Sequence, residues 1–206
     1  MATETGLMDN GLHDRSIAVR RLKSNLKISG REAPKLTQVT TEKVQDDIIL
    51  RAPGIEMLKL KAPRDKSATV VEIFGTKVQC FDAGDEAAEW ITRYLSIPSR
   101  MSILPQSRTL RNGDHSDFER NWRLHGLPKD LDNTGFSDGY PYLLLSDDSL
   151  KDINDRIPGK NYTHRTFRPN ITIKNEDGKP WSEDNFVGQL QIGEAILAVA
   201  SPCPRW

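Results

Sequence analysis

The sequence predicts an α+β fold that is mainly β, and three observations support this class. Short apolar runs separated by Gly, Pro, Asn or charged turns recur along the first third of the chain, which is typical of a barrel or sandwich. Two segments, 85–95 and 146–157, instead space their apolar residues as a helix does. The 206 residues are 36% hydrophobic and 28% charged, a composition typical of a globular chain that can bury a core in one or two domains.

The elements of the first half follow in order. Strands are predicted at residues 16–19, 26–29, 36–41, 47–51, 57–60, 69–74 and 77–81. Residues 85–95 then form an amphipathic helix with Ala87, Ile91 and Leu95 on one face. Two acids, Asp85 and Glu86, occupy its first turn, where the helix dipole favours negative charge.

A polar segment without periodicity, 105–134, separates this half from the next and predicts a long loop. We therefore divide the chain into a β-barrel-like domain at 1–115, a linker at 116–133 and a second β-barrel-like domain at 134–206. The second domain is predicted to be incomplete, because no strand follows its last apolar run.

The second domain begins with a buried strand at 142–145. Ser146 can cap the next helix, and Pro158 with Gly159 ends it. Strands are predicted at 171–174, 190–192 and 195–199. The last of these has no following neighbour, so we expect it to lie at a sheet edge.

Composition excludes several classes of protein. Lys plus Arg equals Asp plus Glu at 29 each, so nucleic-acid binding is not indicated. Two cysteines are too few for a disulfide framework and indicate a reducing compartment. The first ten residues do not form a secretory signal, and no apolar run is long enough to span a membrane. A cytoplasmic location is therefore predicted for the chain as written.

The strongest candidate site is Phe167-Arg168-Pro169-Asn170. Because Pro169 disfavours the helical region for the residue before it, Arg168 is expected to be extended, with its side chain on the same side as Asn170. Arginine offers a rigid fork for phosphate or carboxylate, and asparagine offers both a donor and an acceptor for a heterocycle edge. The structural alternative is an ion pair at a strand start followed by a turn asparagine.

Other residues are weaker candidates. Asp138 is either a general base, a group near a metal or an Asx-turn residue. Cys203 is either a soft metal ligand beside Arg205 or an inert cysteine. The pair Asp14-Arg15, considered by itself, is interpreted as a surface ion pair.

Two further sets of polar residues are assigned no chemistry. The adjacent acids Glu183 and Asp184 lack acid–base geometry and are interpreted as a solvated turn. The four histidines lack zinc-ligand spacing.

In order, these pieces resemble the MOSC family, and in particular its amidoxime-reducing branch. Asp14-Arg15 followed by residues 31–36 resembles the N-terminal β-barrel of that family. The Ser-Asp and Pro-Tyr-Leu-Leu-Leu-Ser motifs within 137–149, Phe-Arg-Pro-Asn at 167–170 and Cys-Pro-Arg at 203–205 resemble its catalytic domain. The resemblance covers nearly the whole chain, and the ordered set is more specific than any single motif.

The resemblance implies a molybdenum oxidoreductase that holds molybdopterin and reduces N-hydroxylated compounds. Cytochrome b5 and its reductase supply electrons in animal members. By position, Arg15, Arg168 and Arg205 would contact the cofactor phosphate or its surroundings. Asn170 would contact the pterin edge, and Asp138 would lie near the metal.

This chain departs from the family pattern at one decisive position. The family has Cys-x-x-Cys here, and its second cysteine binds molybdenum. Trp206 stands at that position, and an indole has no thiolate. We therefore expect no protein metal ligand, and an inactive or nearly inactive chain. Relative to the family, the chain is expected to be truncated at both ends, without the first strand and without the anchor that holds animal members on the mitochondrial outer membrane.

Three alternatives to an amidoxime reductase stay open. One is a module like the C-terminal domain of molybdenum-cofactor sulfurases, whose pyridoxal phosphate chemistry belongs to a separate domain. Another is a cofactor-binding or carrier protein without redox activity. The third is a non-functional fragment whose 195–199 edge promotes aggregation.

Overall fold

The computed structural model describes residues 2–3, 6–9, 12–61, 68–73, 76–104, 136, 140–199 and 202–203. These residues divide into two compact units, one containing 3–104 with Phe136 and the other containing 140–203. Strands predominate over helices in the described residues, which confirms the predicted α+β, mainly β class. The predicted linker, 116–133, lies outside the described residues, so the domain boundaries stay a prediction.

The first unit consists of ten strands and one long helix in its described residues. Its strands are β1 (Ala2–Thr3), β2 (Gly6–Asp9), β3 (Leu12–His13), β4 (Ile17–Arg21), β5 (Thr40–Val44), β6 (Asp47–Ala52), β7 (Ile55–Lys61), β8 (Ala68–Ile73), β9 (Thr76–Asp82) and β10 (Ser99–Ile103); the helix is α1 (Asp85–Leu95). The strands lie in three sheets, ordered β1-β2-β3, β4-β10-β9-β8 and β5-β6-β7. No closed barrel forms among these residues.

Antiparallel pairing places the apolar residues of the first unit on shared inner faces. In the sheet β5-β6-β7, Ile48 pairs with Leu60 and Leu50 pairs with Leu58, and all four are buried. They join one apolar cluster with residues of α1 and β10. The alternation of buried and exposed residues along β7 is the pattern expected of a strand with one solvated face.

Helix α1 begins and ends where the sequence predicts. Its apolar residues at helical spacing, including Ala87 and Ile91, are fully buried. Trp90 is buried as well, and its Nε1 donates to the Glu56 carbonyl at 2.7 Å. A tryptophan N–H inside a core requires such a partner, so this bond fixes α1 against the start of β7.

A buried ionic cluster ties β4, β9 and β10 together. Arg20 NH2 lies 2.6 Å from Asp82 Oδ2, and the two side chains are only 7% and 11% exposed. Arg100 binds both oxygens of the same carboxylate through Nε and NH2, at 2.7 Å each. Arg20 also donates to Asn25 Oδ1 and to Ser102 Oγ. The charges of this cluster are thus paired and hydrogen-bonded, as burial demands.

The second unit has a small apolar core in its described residues. Its elements are β11 (Leu144–Ser146), α2 (Asp147–Arg156), α3 (His164–Phe167), β12 (Ile171–Ile173), β13 (Gln189–Ile192) and β14 (Ala195–Ala198). Strands β11 and β12 pair in parallel, while β13 and β14 form an antiparallel hairpin. Leu150 of α2 is its one buried apolar side chain within the part of the chain described.

Three local predictions are wrong. A strand was expected at residues 26–29, but only isolated bridges at Leu26 and Lys27 form there. Residues 36–41 were expected to form one strand, but Pro34–Gln38 is a 3₁₀ turn and β5 begins only at Thr40. Proline fixes φ in the helical range, and Thr37 Oγ1 stabilises the turn by donating to the Pro34 carbonyl at 2.8 Å. Arg168 was expected to be extended, but it is left-handed, with φ 54° and ψ 50°, because it ends the short helix α3.

Candidate cofactor-binding turn

The turn between α3 and β12 contains the two strongest candidate residues. The Arg168 backbone N–H donates to the His164 carbonyl at 2.7 Å and so ends α3. Its side chain is exposed, and that of Asn170 is half-buried. A left-handed conformation is uncommon for a residue with a Cβ. The turn is therefore a specific local structure and not a regular strand start.

Asn170 is bound to the residue before β11. Its side-chain Oδ1 accepts from the Leu143 backbone N–H at 3.1 Å. Its own N–H donates to the Leu143 carbonyl at 2.8 Å, and Ile171 N donates to the same oxygen at 3.1 Å. Because the amide oxygen is occupied, the orientation of the Asn170 side chain is set by the backbone. The Asn170 amide, two residues after Arg168, is therefore held at the amino ends of the parallel strands β11 and β12.

A second polar group, here called the serine–glutamate cluster, lies at the start of α2. Its members are Ser146, Ser149, Asn175, Trp181 and Glu183. Ser146 Oγ accepts from Ser149 N at 3.0 Å and thereby caps α2, as the sequence predicted. Ser149 Oγ accepts from Trp181 N at 2.7 Å. Both serines are fully buried, so these bonds satisfy groups that water cannot reach.

The sequence predicted that Glu183 lies in a solvated turn. This prediction is wrong, because Glu183 belongs to the serine–glutamate cluster. Its Oε1 accepts from the Ser146 backbone N–H at 3.0 Å, and Oε2 lies 3.4 Å from Asn175 Nδ2. Burial by itself raises the pKa of Glu183, but the hydrogen bonds from Ser149 and Ser146 outweigh burial and hold the pKa below its usual value. The carboxylate is therefore an ionised anchor and not a proton donor. Adjacent Asp184 is exposed, as predicted.

Sequence reasoning overlooked Glu183 because Ser146, whose backbone N–H it accepts from, is 37 residues away along the chain. The local sequence around Glu183 contains Pro180 followed by Trp181, a pair that indicates an irregular turn. In the structure, Trp181 is left-handed, with φ 66°. Its indole Nε1 donates to Asp152 Oδ2 at 2.8 Å. The segment 175–183 is thus attached to α2 at several points, which supports the β11–β12 pair from one side.

Arg15 lies in the first unit, in the turn between β3 and β4. It is left-handed, with φ 55°, and its Nε is 3.4 Å from Asp14 Oδ2. The side chains of both residues remain partly exposed. The surface ion pair predicted for Asp14 and Arg15 is therefore present, and the cofactor role of Arg15 stays a prediction.

The remaining candidates fall largely outside the described residues. Asp138, Arg205 and Trp206 are among the residues that the structure does not describe. Cys203 is described and exposed. Within the described ranges, no three His, Cys, Asp or Glu side chains come together in a way that could hold a metal ion.

Comparison with known families agrees with this arrangement of elements. The MOSC N-terminal beta barrel domain matches residues 1–98, and the MOSC domain matches residues 132–205. The two matches together span most of the chain, which therefore belongs to the MOSC family. The candidate turn lies within the MOSC domain match, whereas Arg15 lies within the N-terminal match.

The curated relatives are mitochondrial amidoxime-reducing components. Component 1 of Homo sapiens is 30% identical over 98% of this chain and 57% of its own length. Component 2 of Bos taurus is 28% identical over the same shares, and component 2 of Rattus norvegicus is 30% identical over 98% and 58%. The chain thus spans little more than half the length of these relatives. A Bordetella bronchiseptica protein solved in solution aligns with 43% of this chain and 71% of its own at 22% identity and a TM-score of 0.39, which is too weak a likeness to define a shared fold.

The names of these relatives specify a mitochondrial location. In this chain, none of the helices in the described ranges has the length and apolar character that a membrane crossing requires.

Proposed function

We propose that this chain is a molybdopterin-binding MOSC protein of the amidoxime-reducing type, and that it does not itself reduce N-hydroxylated compounds. The observation that carries the proposal is the turn at Arg168 and Asn170. There a guanidinium is exposed within two residues of an amide whose orientation is set by Leu143. The relatives' names supply the reaction class, since each is an amidoxime-reducing component.

The residues of the turn suit the organic part of the cofactor. The phosphate of a pterin cofactor is dianionic, and arginine binds such a group with a planar fork of donors. A pterin ring presents alternating donors and acceptors, and the Asn170 oxygen, which accepts one bond from Leu143 N, has a second lone pair with which it could meet a pterin donor. When bound, the cofactor would supply the redox chemistry; Arg168 would hold its phosphate and Asn170 would orient its ring. Arg15 and Arg205 are proposed as further phosphate contacts, and Asp138 as a residue near the reacting atoms.

The residues do not suit protein ligation of molybdenum. By the family resemblance, the one ligand that the protein gives to molybdenum is a cysteine thiolate. Trp206 stands at the position that corresponds to the family's ligand cysteine, and its indole N–H only donates hydrogen bonds. Cys203 aligns with the other cysteine of the family motif. We therefore derive no redox step for this chain.

The partners proposed for an active form follow from the family. Cytochrome b5 and its reductase would deliver electrons, an N-hydroxylated compound would be the substrate, and a mitochondrial location would match that of the relatives. An inactive chain that retains the cofactor would instead be a carrier of molybdopterin. The second candidate, a module like that of molybdenum-cofactor sulfurases, differs in needing no electron donor.

The test measures the pterin and metal contents of the purified chain separately. The pterin is released, oxidised to a fluorescent derivative and quantified, and molybdenum is measured by mass spectrometry. We expect bound pterin, molybdenum well below one atom per chain and no turnover of benzamidoxime with cytochrome b5 and its reductase. A full molybdenum complement, or turnover, would refute the proposed inactivity.

Two variants separate the elements of the proposal. Arg168→Gln removes the charge but keeps an amide, and should lower pterin content about tenfold or more, since a charge-assisted contact contributes about 1.5–3 kcal/mol. Arg165→Gln, an exposed change one turn earlier in α3, is the matched control and should retain the pterin. Trp206→Cys should raise molybdenum content. Equal pterin contents in the first two variants would argue against the candidate turn as the binding site.

A further inference from the structure

Several large apolar side chains on or just before the hairpin β13–β14 are exposed. Ile196 is 65% exposed and Ile192 is 45% exposed, and Val187, just before the hairpin, is 81% exposed. Ile196 pairs with Gln191 and Ile192 pairs with Ala195, so the two isoleucines lie on opposite faces of the hairpin and do not form one patch. Neither strand of this hairpin contains a charged residue.

The outer edge of β14 has backbone groups that can pair with a further strand. Val199 N donates to the Gly188 carbonyl at 2.9 Å, and Leu197 pairs with Leu190. Hydrogen-bonding direction alternates along an antiparallel strand. Val199 and Leu197 therefore face β13, whereas Ile196 and Ala198 direct their N–H and C=O groups outward. In the described residues, β14 pairs with β13 alone.

We propose that two copies of this chain associate through β14, which pairs antiparallel with β14 of the second copy about a two-fold axis at Leu197. Ile196 of each copy then exchanges both backbone hydrogen bonds with Ala198 of the other. Leu197 faces its own equivalent in the close, non-hydrogen-bonded position. The two hairpins become one continuous four-stranded sheet.

Self-pairing is favoured by the side chains and charges of this strand. A two-fold axis at Leu197 keeps odd-numbered residues of both copies on one face, so Leu197 and Ala195 continue the apolar face that Leu190 and Ile192 begin. No charge opposes another, because the pairing strand has none. The nearest acid, Glu194, lies in the hairpin turn, and the two copies place it at opposite ends of the sheet. Charged side chains, which natural proteins use to prevent such edge pairing, are missing from β14.

The interface is isologous and closed. Each copy uses the outer edge of β14 once, so pairing through this edge ends at two copies. The inference stands apart from the proposed cofactor function, because it uses neither Arg168 nor Asn170.

Sedimentation equilibrium over a range of concentrations tests the association. A reversible species of twice the chain mass of 23.2 kDa is expected. Amide hydrogen exchange supplies a local measurement: the outward amides of Ile196 and Ala198 should gain protection as protein concentration rises, whereas that of Leu197 is protected throughout. A monomer at all concentrations, or growth beyond two copies, would overturn the proposal.

Two variants distinguish strand pairing from general stickiness. Ala198→Pro removes an outward N–H that β13 does not use and should weaken association at least tenfold, with an unchanged circular dichroism spectrum. Val187→Lys adds a charge at an exposed position just before the hairpin, outside the pairing strand, and should leave association within about twofold. If Val187→Lys abolishes the dimer and Ala198→Pro does not, the contact is side-chain packing and the strand-pairing model is wrong. If Ala198→Pro unfolds the hairpin, Ile196→Lys replaces it in the same comparison.

Discussion

Replacing Asp82 by asparagine should destabilise the first unit by about 3 kcal/mol, since removing one partner of a buried ion pair costs about 3–5 kcal/mol. The Asp82 carboxylate accepts from Arg20 NH2 at 2.6 Å, from Arg100 Nε and NH2 at 2.7 Å each, and from Gly84 N at 2.8 Å. Asparagine has one acceptor oxygen and no charge. The guanidinium of Arg20, only 7% exposed, then has no counter-charge. The lower end of the range is expected because Arg100 can turn toward Asp85.

The assay is urea unfolding followed by far-ultraviolet circular dichroism; because the chain has two units, the free energy of unfolding is taken for the transition that the substitution shifts. Asp85→Asn is the matched control: it is the same chemical change in the same cluster, but the Asp85 side chain is 90% exposed and accepts only from Arg100 NH2 at 2.9 Å. An exposed pair contributes about 0–1 kcal/mol. Equal losses in the two variants would refute the claim that burial gives Asp82 its importance.

The stability lost in Asp82→Asn should depend on pH. Burial raises the pKa of Asp82, but the hydrogen bonds from Arg100 and Gly84 and the charges of Arg100 and Arg20 outweigh burial and lower that pKa below its ordinary value. A lowered folded-state pKa means that the carboxylate stabilises the fold above the unfolded-state value, and that this contribution is lost as pH falls through the folded-state value. The difference in stability between the native chain and Asp82→Asn should therefore shrink on acidification below about pH 4. A difference that stays constant to pH 2 would contradict this.

Three further predictions concern single side chains. Ser16 Oγ is buried without a hydrogen-bond partner in the described part of the chain, so Ser16→Ala should raise the free energy of unfolding by about 1 kcal/mol; a loss of stability in urea unfolding would show that the hydroxyl is satisfied. Burial raises the pKa of the Cys80 thiol, whereas Cys203 is exposed. A disulfide reagent should therefore modify Cys203 quickly and Cys80 only in urea. Fast modification of both thiols in the folded protein would contradict the burial of Cys80. Glu183→Gln should cost the second unit about 1–2 kcal/mol near neutral pH and less in acid, because the pKa of Glu183 is lowered; an unchanged unfolding midpoint at pH 7 would remove it from the cluster.

Local sequence patterns were sufficient to predict an element where the residues that form it lie within a few positions of each other. Helix α1 has the predicted bounds because its apolar spacing and its acidic first turn are both local. Ser146 caps α2 for the same reason. The two-residue connection at Pro53-Gly54 follows from turn chemistry, since Gly54 has φ 73° and glycine reaches that region without strain.

The contacts that the sequence did not predict have a local cause at Arg168 and distant causes at Asn170 and Glu183. Pro169 by itself favours an extended Arg168, but the four residues of α3 form a helix that ends in the left-handed region. Asn170 is held by Leu143, which lies 27 residues earlier. Glu183 resembles a surface acid in sequence, yet Ser146 donates to it across the fold. The bonds of Asn170 to Leu143 and of Glu183 to Ser146 span more than any ten-residue window.

The sequence by itself determined the family, the class of fold and the residue types available for chemistry. Ordered motifs specify the MOSC family, and the expectation that Trp206 replaces a cysteine of the family motif depends on residue identity alone. Only the tertiary structure decided how those residues are held. It places Arg168 in a left-handed cap, binds the Asn170 amide to the backbone, and gives Asp82 and Glu183 their partners. The reason is physical: side-chain identity sets which bonds a residue can form, but burial and long-range pairing set which of those bonds it does form.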